Sequence, residues 1–337
     1  MLLTRTDFRE GVFARDEHKC VLCQAPAADA HHILERRLFP DGGYYLDNGA
    51  SVCGPCHLLC EETKVSVEDL RIAAKITRTV LPPHLYDDQP YSKWGDPILP
   101  DGRRMRGELF FDPSVQKALA GSLHLYTHLV KFPRTYHLPW SPGRTKDDRG
   151  LESLDGFDGE EVVVTVKMDG ENTTMYSDHI HARSLDSRTH PSRNWVKALH
   201  GRIAHDIPEG WRLTGENLLG EHSIHYHNLP SYFLLFGVWN EHNRALAWDE
   251  VVTWAALLDL KTVPILYRGP FDAKKIQGLL QATYDGDECE GYVVRVTREF
   301  GYGDYRRVVG KYVRASHVHT HAHWMRRFVP NDLRTEP

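Results

Sequence analysis

The sequence of 337 residues has no hydrophobic run as long as a membrane span requires. Apolar stretches such as Tyr232 to Trp239 are far shorter than the roughly 18–20 residues of a transmembrane helix. The first ten residues, MLLTRTDFRE, also lack the apolar core of a secretory signal peptide. We therefore expect a cytoplasmic protein that is neither secreted nor bound to a membrane.

An overall excess of positive charge is also missing. The 41 lysines and arginines face 46 aspartates and glutamates, which gives a net charge of −5. No general positive field draws such a chain onto nucleic acid, so any phosphate binding must be local. Residues 295–327 are the local exception, because they include eight basic and only two acidic residues.

The length predicts two domains at about 150 residues each, and 41% apolar residues are enough for ordinary cores. In the first part, Ser66 with Asp69 begins a predicted helix, SVEDLRIAAKITRT, that ends before Pro82. Residues 82–112 are rich in proline, glycine and charge, which indicates a linker or a loosely packed segment. A second helix is predicted from Pro113 to Val130.

From Lys131 onward the pattern changes to short strands separated by loops, with helical segments near 192–205 and 249–259. The predicted strands are EVVVTVK (161–167), YFLLFGVW (232–239), EGYVVRV (290–296) and RRVVGKYV (306–313). Alternation in the first strand predicts Val162, Val164 and Val166 on one face, and Val163, Thr165 and Lys167 on the other. Lys167 is thus expected at the edge of a cleft, and Gly170 is expected to permit a tight turn beside it.

Six cysteines in a reducing compartment indicate metal ligands or buried thiols rather than disulfides. Two C-x-x-C pairs supply four thiolates, the donor set of a tetrahedral structural zinc. A module this small has too little core to fold without such support. The four predicted zinc ligands are Cys20, Cys23, Cys53 and Cys56.

Two histidines and an asparagine lie between these pairs, and a third histidine directly follows the second pair. The order is C-x-x-C, H-H-I, N, C-x-x-C-H over about residues 8–63. This order resembles the HNH endonuclease family, whose ββα-metal motif is built on a zinc-bound scaffold. The resemblance implies that His32 activates water, that Asn48 orients His32, and that His31 and His57 hold a catalytic divalent ion. The alternative is a zinc scaffold that only binds nucleic acid, with these histidines packing or contacting phosphate. Here the turn after His57 reads LLCE, where family members often have a further histidine or asparagine.

The second domain contains an ordered series of short motifs. They are KMDGEN (167–172), Arg183-Ser184, Gly215-Glu216-Asn217, Phe236, Glu290-Gly291 and Lys311. From about Lys131 to about Trp324 this series resembles the covalent nucleotidyltransferase superfamily, and most closely its RNA-ligase-2-like branch of ATP-dependent RNA ligases. The resemblance implies that Lys167 takes AMP from ATP as a phosphoramidate, with Mg²⁺ or Mn²⁺ as cofactor.

The same resemblance implies the other roles. Glu216 contacts the ribose, Phe236 stacks on adenine, Glu290 binds the catalytic metal, Lys311 contacts the α-phosphate, Arg183 contacts the outer phosphates or the 5′-phosphate end, and Asp169 belongs to the nucleotide site. A lysine amine attacks only when deprotonated, so desolvation or nearby cations such as Lys311 and Arg183 must lower its pKa from about 10.4. Many of these ligases have two lysines in the last motif; here Arg314 is the candidate for the second, although alternation puts it on the face opposite Lys311.

Together these observations predict an α+β fold. A nucleotidyltransferase domain, an ATP-grasp-like ligase of antiparallel sheets with helices, follows a small zinc-bound ββα-metal, HNH-like domain. The expected boundaries are 1–80 for the zinc module, 81–130 for a linker and helix, 131–325 for the ligase domain and 326–337 for a tail.

The expected function is an ATP-dependent polynucleotide ligase that seals 5′-phosphate and 3′-hydroxyl ends of RNA or RNA/DNA duplexes in nucleic acid repair. A bifunctional nuclease-ligase and a DNA ligase are the alternatives. Only 23 residues follow Arg314, too few for the OB-fold that DNA ligases place there, which favours RNA. Four alternating histidines in this tail, His317, His319, His321 and His323, are expected either to bind metal or to form a surface segment that touches phosphates or packs by Trp324. The oligomeric state is left open.

Overall fold

The computed structural model describes residues 1–145, 148–185, 189–279, 283–315 and 328–334. The chain has a mixed α+β fold and divides into two compact units, Met1–Val130 and Lys131–Pro337. Among the described residues, none of the helices combines the length and the apolar character needed to cross a bilayer.

The first unit consists of short helices around a two-stranded antiparallel sheet. Its elements are α1 (Arg5–Arg15), β1 (Asp29–His32), β2 (Gly49–Val52), α2 (Gly54–Glu61), α3 (Val67–Ala73), β3 (Arg104–Met105), α4 (Pro113–Ala118) and β4 (Tyr126–Thr127). In the β1–β2 pair, His31 lies opposite Ala50 and His32 opposite Gly49. The cysteines Cys20, Cys53 and Cys56 are buried in the hydrophobic core of this unit.

The predicted start of the helix at Ser66 is confirmed, but its predicted end is wrong. The Ser66 hydroxyl accepts the Asp69 N–H at 2.9 Å, as an N-cap residue does. The helix stops at Ala73 because Lys75 adopts a left-handed backbone conformation with φ +56°. The Ile76 N–H then donates to the Arg71 carbonyl at 2.9 Å, which is the hydrogen bond of a Schellman motif.

The predicted helix from Pro113 to Val130 is also wrong, because α4 ends at Ala118. A glycine, Gly121, stands three residues beyond that end, where it disfavours continuation of a helix. The preceding segment contributes buried side chains: Trp94 and Phe110 form a hydrophobic cluster with Val115 of α4. Tertiary packing therefore organises residues whose local pattern indicated a linker or a loose wrap.

Among the residues given above, the second unit contains two larger sheets and one two-stranded sheet. Its strands are β5 (Tyr136–His137), β6 (Glu161–Val166), β7 (Glu171–Met175), β8 (Ile180–Ala182), β9 (Arg212–Asn217), β10 (Phe233–Trp239), β11 (Arg244–Ala245), β12 (Lys261–Thr262), β13 (Ile265–Pro270), β14 (Thr283–Tyr284), β15 (Asp287–Glu288), β16 (Gly291–Val296), β17 (Phe300–Gly301) and β18 (Val309–Val313). The helices are α5 (Asn194–Ile203), α6 (Trp248–Leu257), α7 (Ala273–Gln277) and α8 (Tyr305–Val308).

One sheet has the order β13-β6-β16-β18-β5, and the other has the order β17-β11-β10-β9-β7-β8 with β12 beside β10. The predicted strands at 161–167, 232–239 and 290–296 are confirmed within a residue or two. The predicted strand at 306–313 begins later, because Tyr305–Val308 form a helical turn before β18.

The alternation of faces predicted for the strand at 161–167 holds along β6 until its last residue, Val166. Val162 and Val164 pack into one core, whereas Val163 packs into the other. Val166, expected on the face of Val162 and Val164, lies in the core with Val163 instead. The neighbouring strand β13 has a register shift between Ile265 and Tyr267, just before this point, and the regular pleat ends there.

Candidate active site

A pocket of about 150 Å³ lies between the two sheets of the second unit. The strands contribute alternate residues to it, since successive side chains of a strand point to opposite faces. These residues are Thr214 and Glu216 of β9, Val293 and Arg295 of β16, and Val309 and Lys311 of β18. Lys167 and Phe236 also line the pocket, so four residues predicted from distant motifs meet in one cavity.

Lys167 directly follows β6, and Glu290 directly precedes β16. The two strands are antiparallel with Val166 opposite Tyr292, so the ends that carry Lys167 and Glu290 lie side by side. The Lys167 N–H donates to the Gly291 carbonyl at 2.9 Å, and the Lys167 ammonium forms an ion pair with the Glu290 carboxylate. Strand register therefore fixes this pair, although 123 residues separate its members.

The expectation that the pKa of Lys167 is lowered is wrong for this arrangement. Burial alone would lower the pKa of Lys167, but the carboxylates of Glu290 and Glu216 outweigh burial and raise it above the ordinary value. Lys311, the expected source of positive charge, lies in the same pocket but does not reverse this balance. The amine is thus held as an ammonium ion chiefly by the carboxylate of Glu290.

Glu216 lies on β9 and turns toward the same amine. Its Oε1 accepts the Gly170 N–H at 3.2 Å. Burial raises the pKa of Glu216 to about 8, although the nearby charge of Lys167 acts in the opposite direction. Near neutral pH this carboxyl group is therefore largely protonated, unlike an exposed glutamate.

Asp169 is held beside Lys167 by a loop rather than by the pocket walls. Its Oδ2 accepts the Ser223 N–H at 2.8 Å, the Ser223 hydroxyl at 2.6 Å and the Ile224 N–H at 3.0 Å. Burial would raise the pKa of Asp169, but the hydrogen bonds of Ser223 and the charge of Lys167 lower it. Asp169 is not among the pocket-lining residues, so its geometry is that of a support for the Lys167 segment.

Gly170 is required for a different reason from the one expected. Its φ does not fall in the left-handed range that favours glycine. A Cβ at this position would instead lie 2.5 Å from the Asn217 carbonyl oxygen and 2.8 Å from Leu218. The absent side chain allows the backbone to approach β9 closely enough to bond Glu216.

Phe236 points into the pocket from a bulge in β10. The pairing of β10 with β9 shifts between Leu235 and Gly237, which leaves Phe236 as the extra residue. A bulge of this kind redirects a side chain, and bulges are common beside active sites. The Phe236 ring is half-buried and lies edge-on to Phe132, with ring centroids 5.5 Å apart. One aromatic face thus remains available to a flat ligand in the pocket.

The basic residues of the motifs have different surroundings. Lys311 lines the pocket, and burial and the charge of Lys167 lower its pKa. Its ammonium lies 3.8 Å from Asp148. Arg183 is exposed and is not among the lining residues. Arg314 forms an ion pair with Glu288 and also lies outside the lining.

Two further pocket residues have polar atoms that the sequence analysis did not assign. Asn172 Oδ1 and Trp248 Nε1 are buried, and neither has a hydrogen-bond partner among the described residues. Both residues line the pocket. Buried polar atoms without a partner are costly, so a water molecule or a ligand atom in the pocket would satisfy them. Asn172 stood inside a recognised motif, whereas nothing in the sequence distinguished Trp248 from a core tryptophan.

In the first unit, the four predicted zinc ligands lie together. One donor atom from each of Cys20, Cys23, Cys53 and Cys56 lies within 4.8 Å of every other. The Cys23 and Cys53 sulfurs are 3.6 Å apart, close to the edge of about 3.8 Å that four Zn–S bonds of 2.3 Å define. Burial would raise the pKa of Cys20, but backbone N–H groups, including that of Cys53, lower it to about 7. The donor set fits a tetrahedral zinc ion.

Two residues of the predicted HNH site have structural contacts. Asn48 is buried, its Oδ1 accepts the Leu34 N–H at 2.9 Å, and its Nδ2 donates to the carbonyls of Leu34 and Gly43 at 3.1 and 3.2 Å. The His32 ring stacks on Phe8 with centroids 4.6 Å apart, and burial lowers the pKa of His32 to about 4. The Asn48 amide thus holds the backbone rather than His32.

The other two predicted residues, His31 and His57, come together with Glu61, which the sequence analysis missed. Glu61 Oε1 lies 3.5 Å from His31 and 3.3 Å from His57. Glu61 lies one helical turn after His57, where the family pattern has a histidine or asparagine, and this i,i+4 spacing was the signal that could have found it. The same oxygen lies 3.1 Å from the buried ammonium of Lys93, so a protein cation already contacts this cluster.

The predicted histidine face His317, His319, His321 and His323 lies outside the described residues.

Comparison with known proteins identifies similarity over the second unit. Residues 160–313 match the family model of RNA ligases. No curated protein matches the chain. This family match, a little under half of the chain, supports an RNA ligase domain at these residues.

Solved structures show a more distant likeness. The Naegleria gruberi RNA ligase with PPi is 18% identical with a TM-score of 0.39, and the match covers 58% of each chain. A mutant of that ligase with AMP and Mn is 18% identical with a TM-score of 0.40, and the match covers 56% of each chain. The present chain thus spans less than two thirds of the length of these structures.

Proposed function

We propose that this chain is an ATP-dependent RNA ligase that carries AMP on Lys167 and seals 5′-phosphate and 3′-hydroxyl ends. One observation carries the proposal. Lys167, Glu216, Phe236 and Lys311 line a single pocket, Glu290 pairs with the lysine, and all five lie in the span that matches RNA ligases. The substrate is proposed to be a nick or break in RNA or in an RNA/DNA duplex.

In the proposed first step, the Lys167 amine attacks the α-phosphorus of ATP. A nitrogen–phosphorus bond forms, the bond from that phosphorus to the bridging oxygen breaks, and pyrophosphate leaves. The AMP then passes to the RNA 5′-phosphate, and attack by the 3′-hydroxyl releases it. Lys311 stabilises the charge that develops on the α-phosphate, and Phe236 provides the stacking surface for the base.

The proton on Lys167 must leave before the amine can attack. Glu290 is the nearest acceptor, because its Oε2 is the atom that pairs with the ammonium. Glu216 raises the pKa of the same amine through its charge, so protonation of Glu216 favours release. The two carboxyl groups therefore set the pH at which the nucleophile becomes available.

The site also fits a divalent cation held together with the nucleotide. Glu290 and Glu216 offer oxygen donors of the kind that Mg²⁺ and Mn²⁺ prefer. The three-donor clusters found among the described residues lie elsewhere, so these carboxylates do not form a complete protein cage. Mg²⁺ is commonly held by one or two carboxylates plus substrate phosphates, which suits such a site. When bound, the cation would supply positive charge to the phosphate oxygens.

The adenylation step can be tested by incubating the protein with Mg²⁺ and ATP labelled at the α-phosphate. We expect the label to remain on the wild type under denaturing conditions and to be lost in Lys167→Ala. Lys274→Ala is the matched control, because Lys274 is an exposed lysine on α7 of the same unit. If the wild type takes no label, the ligase assignment is wrong.

For the first unit we propose a zinc-bound module that binds nucleic acid without cutting it. Two contacts favour binding over cleavage: the Asn48 amide is committed to Leu34 and Gly43, and the Lys93 ammonium contacts Glu61. A cation at Glu61 disfavours a second cation there by charge repulsion. The nuclease alternative predicts nicks in supercoiled DNA or structured RNA with Mn²⁺ that disappear in His32→Ala, and such nicks would overturn the binding role.

A separate experiment tests whether the enzyme prefers RNA or DNA at the nick that it seals. Nicked duplexes are prepared in which the strand with the 3′-hydroxyl and the strand with the 5′-phosphate are each ribose or deoxyribose. We expect efficient sealing only when ribose is present at the nick. Equal sealing of all-DNA nicks would support the DNA ligase alternative.

A further inference from the structure

A third cluster of possible metal-binding side chains takes no direct part in the proposed ligase chemistry. The loop after β9 carries His225 and His227, and the segment 328–334 brings Asp332 against it. One donor atom from each of these three residues lies within 4.8 Å of the others. Two imidazoles and one carboxylate form a donor set that suits Zn²⁺ and related transition metals.

The distances agree with ligands around a common ion. His225 Nε2 lies 3.1 Å from Asp332 Oδ2, and His227 Nδ1 lies 3.4 Å from the same oxygen. Four ligands at 2.0–2.1 Å from a tetrahedral zinc ion would be about 3.3 Å apart. The two imidazole rings are also close together, with centroids 4.5 Å apart and planes tilted by 54°.

A second carboxylate orients the first histidine. Glu221 Oε2 lies 2.9 Å from His225 Nδ1, on the side of the ring opposite Asp332. When Glu221 accepts the Nδ1 proton, the Nε2 lone pair is directed toward Asp332. A carboxylate that holds the outer nitrogen of a ligating histidine is a regular feature of zinc sites.

Backbone hydrogen bonds join the loop after β9 to the segment 328–334, so the cluster does not rest on side-chain contacts alone. The Asp332 N–H donates to the Tyr226 carbonyl, and the Leu229 N–H donates to the Asp332 carbonyl, at 2.9 and 3.1 Å. The buried Asn331 side chain accepts the Tyr226 N–H at 2.9 Å and donates to the Leu218 carbonyl at 2.8 Å. These bonds hold Asp332 next to the two histidines.

We infer that His225, His227 and Asp332 bind a zinc ion, with water as the fourth ligand and Glu221 as the group that orients His225. The ion joins the segment 328–334 to the loop after β9. The same loop donates the Ser223 and Ile224 hydrogen bonds to Asp169, so the ion would also stabilise the support of Lys167. The inference itself does not depend on ligase activity.

Zinc stoichiometry of the full chain tests this site. After saturation with Zn²⁺ and removal of unbound metal, the double variant His225→Gln/His227→Gln should contain one zinc ion fewer per chain than the wild type. The Cys20 cluster is unchanged in both proteins and cancels in the difference. The matched control is His205→Gln, an exposed histidine 3.4 Å from Asp206, which should retain the wild-type zinc content. Equal zinc content in the wild type and the double variant would overturn the site.

A single substitution at an exposed position avoids any dependence on folding. His227 has 70% of its side chain exposed, so His227→Gln leaves the core intact. We expect this substitution to weaken binding of the zinc ion at His225 and Asp332 at least tenfold, measured in competition with a chromogenic chelator. Glu221→Gln should weaken the same binding by about 10- to 100-fold if it orients His225. Unchanged affinity in both variants would show that the three groups form only an ion-pair network.

Discussion

The protonation of Glu216 makes a quantitative prediction about stability. Its pKa in the folded chain is about 8, against an ordinary value of 4.5. Because the folded value is raised, the contribution to the free energy of unfolding is fully present below pH 4.5 and is lost as the pH rises through 8. At 1.36 kcal/mol per pKa unit, the loss over this window is at most about 5 kcal/mol.

Replacing Glu216 by glutamine removes this titration but keeps the size and polarity of the side chain. We therefore expect the free energy of unfolding of the wild type to fall more steeply between pH 5 and pH 9 than that of Glu216→Gln. Urea unfolding followed by tryptophan fluorescence measures both slopes. The histidines titrate in both proteins, so their contribution cancels in the comparison.

A direct measurement separates Glu216 from the rest of the chain. In protein labelled with ¹³C at the glutamate carboxyl groups, one resonance should titrate near pH 8, and it should be missing from Glu216→Gln. If every glutamate titrates near 4.5, or if the two proteins lose stability in parallel with pH, then the pocket does not hold Glu216 protonated and the argument from burial is wrong.

Three further predictions concern single positions. Phe236→Ala should raise the KM for ATP about 5- to 150-fold with little change in the rate at saturation, since base stacking contributes about 1–3 kcal/mol; an unchanged KM in label-transfer kinetics would remove the residue from the base site. Gly170→Ala should destabilise the chain by about 1–3 kcal/mol in urea unfolding, because the new Cβ overlaps the Asn217 carbonyl. Gly201→Ala, where a Cβ meets nothing within 4 Å, should cost nothing, and equal effects would contradict the clash. Asn48→Ala should cost about 2–4 kcal/mol through three lost hydrogen bonds, and a smaller cost with intact zinc binding would argue against its structural role.

The sequence allowed the strands around the site to be predicted because each is short, apolar and bounded by turns. Lys167, Glu216, Phe236 and Lys311 lie in or next to these strands, and all four line the pocket. Lys167 and Glu290 are adjacent because β6 pairs with β16, and pairing of this kind follows from the fold rather than from the local sequence. The resemblance to ligases supplied that long-range information.

The parts that could not be predicted depend on contacts between distant residues. The charge state of Lys167 depends on which carboxylates surround it, and the local sequence does not show which ones these are. Helix α3 ends early because Lys75 adopts a left-handed backbone conformation. Glycine or asparagine usually occupies such a position, so the lysine gave no sign of the helix end. Lys93 lies in a segment that looked like a linker, yet its buried ammonium contacts Glu61, and only tertiary structure shows this.

Pocket-lining and core residues alternate along the strands, and this alternation determines which substitutions the protein can accept. In β9, Glu216 faces the cavity, while its neighbour Asn217 is buried and its side chain donates a hydrogen bond to the Ser192 carbonyl. In β16, Val293 lines the cavity while Val294 packs in the core. Substitutions that alter nucleotide choice can therefore fall on one set of positions and leave the other untouched. Directed evolution of base preference should tolerate variation at Val293 and reject it at Val294.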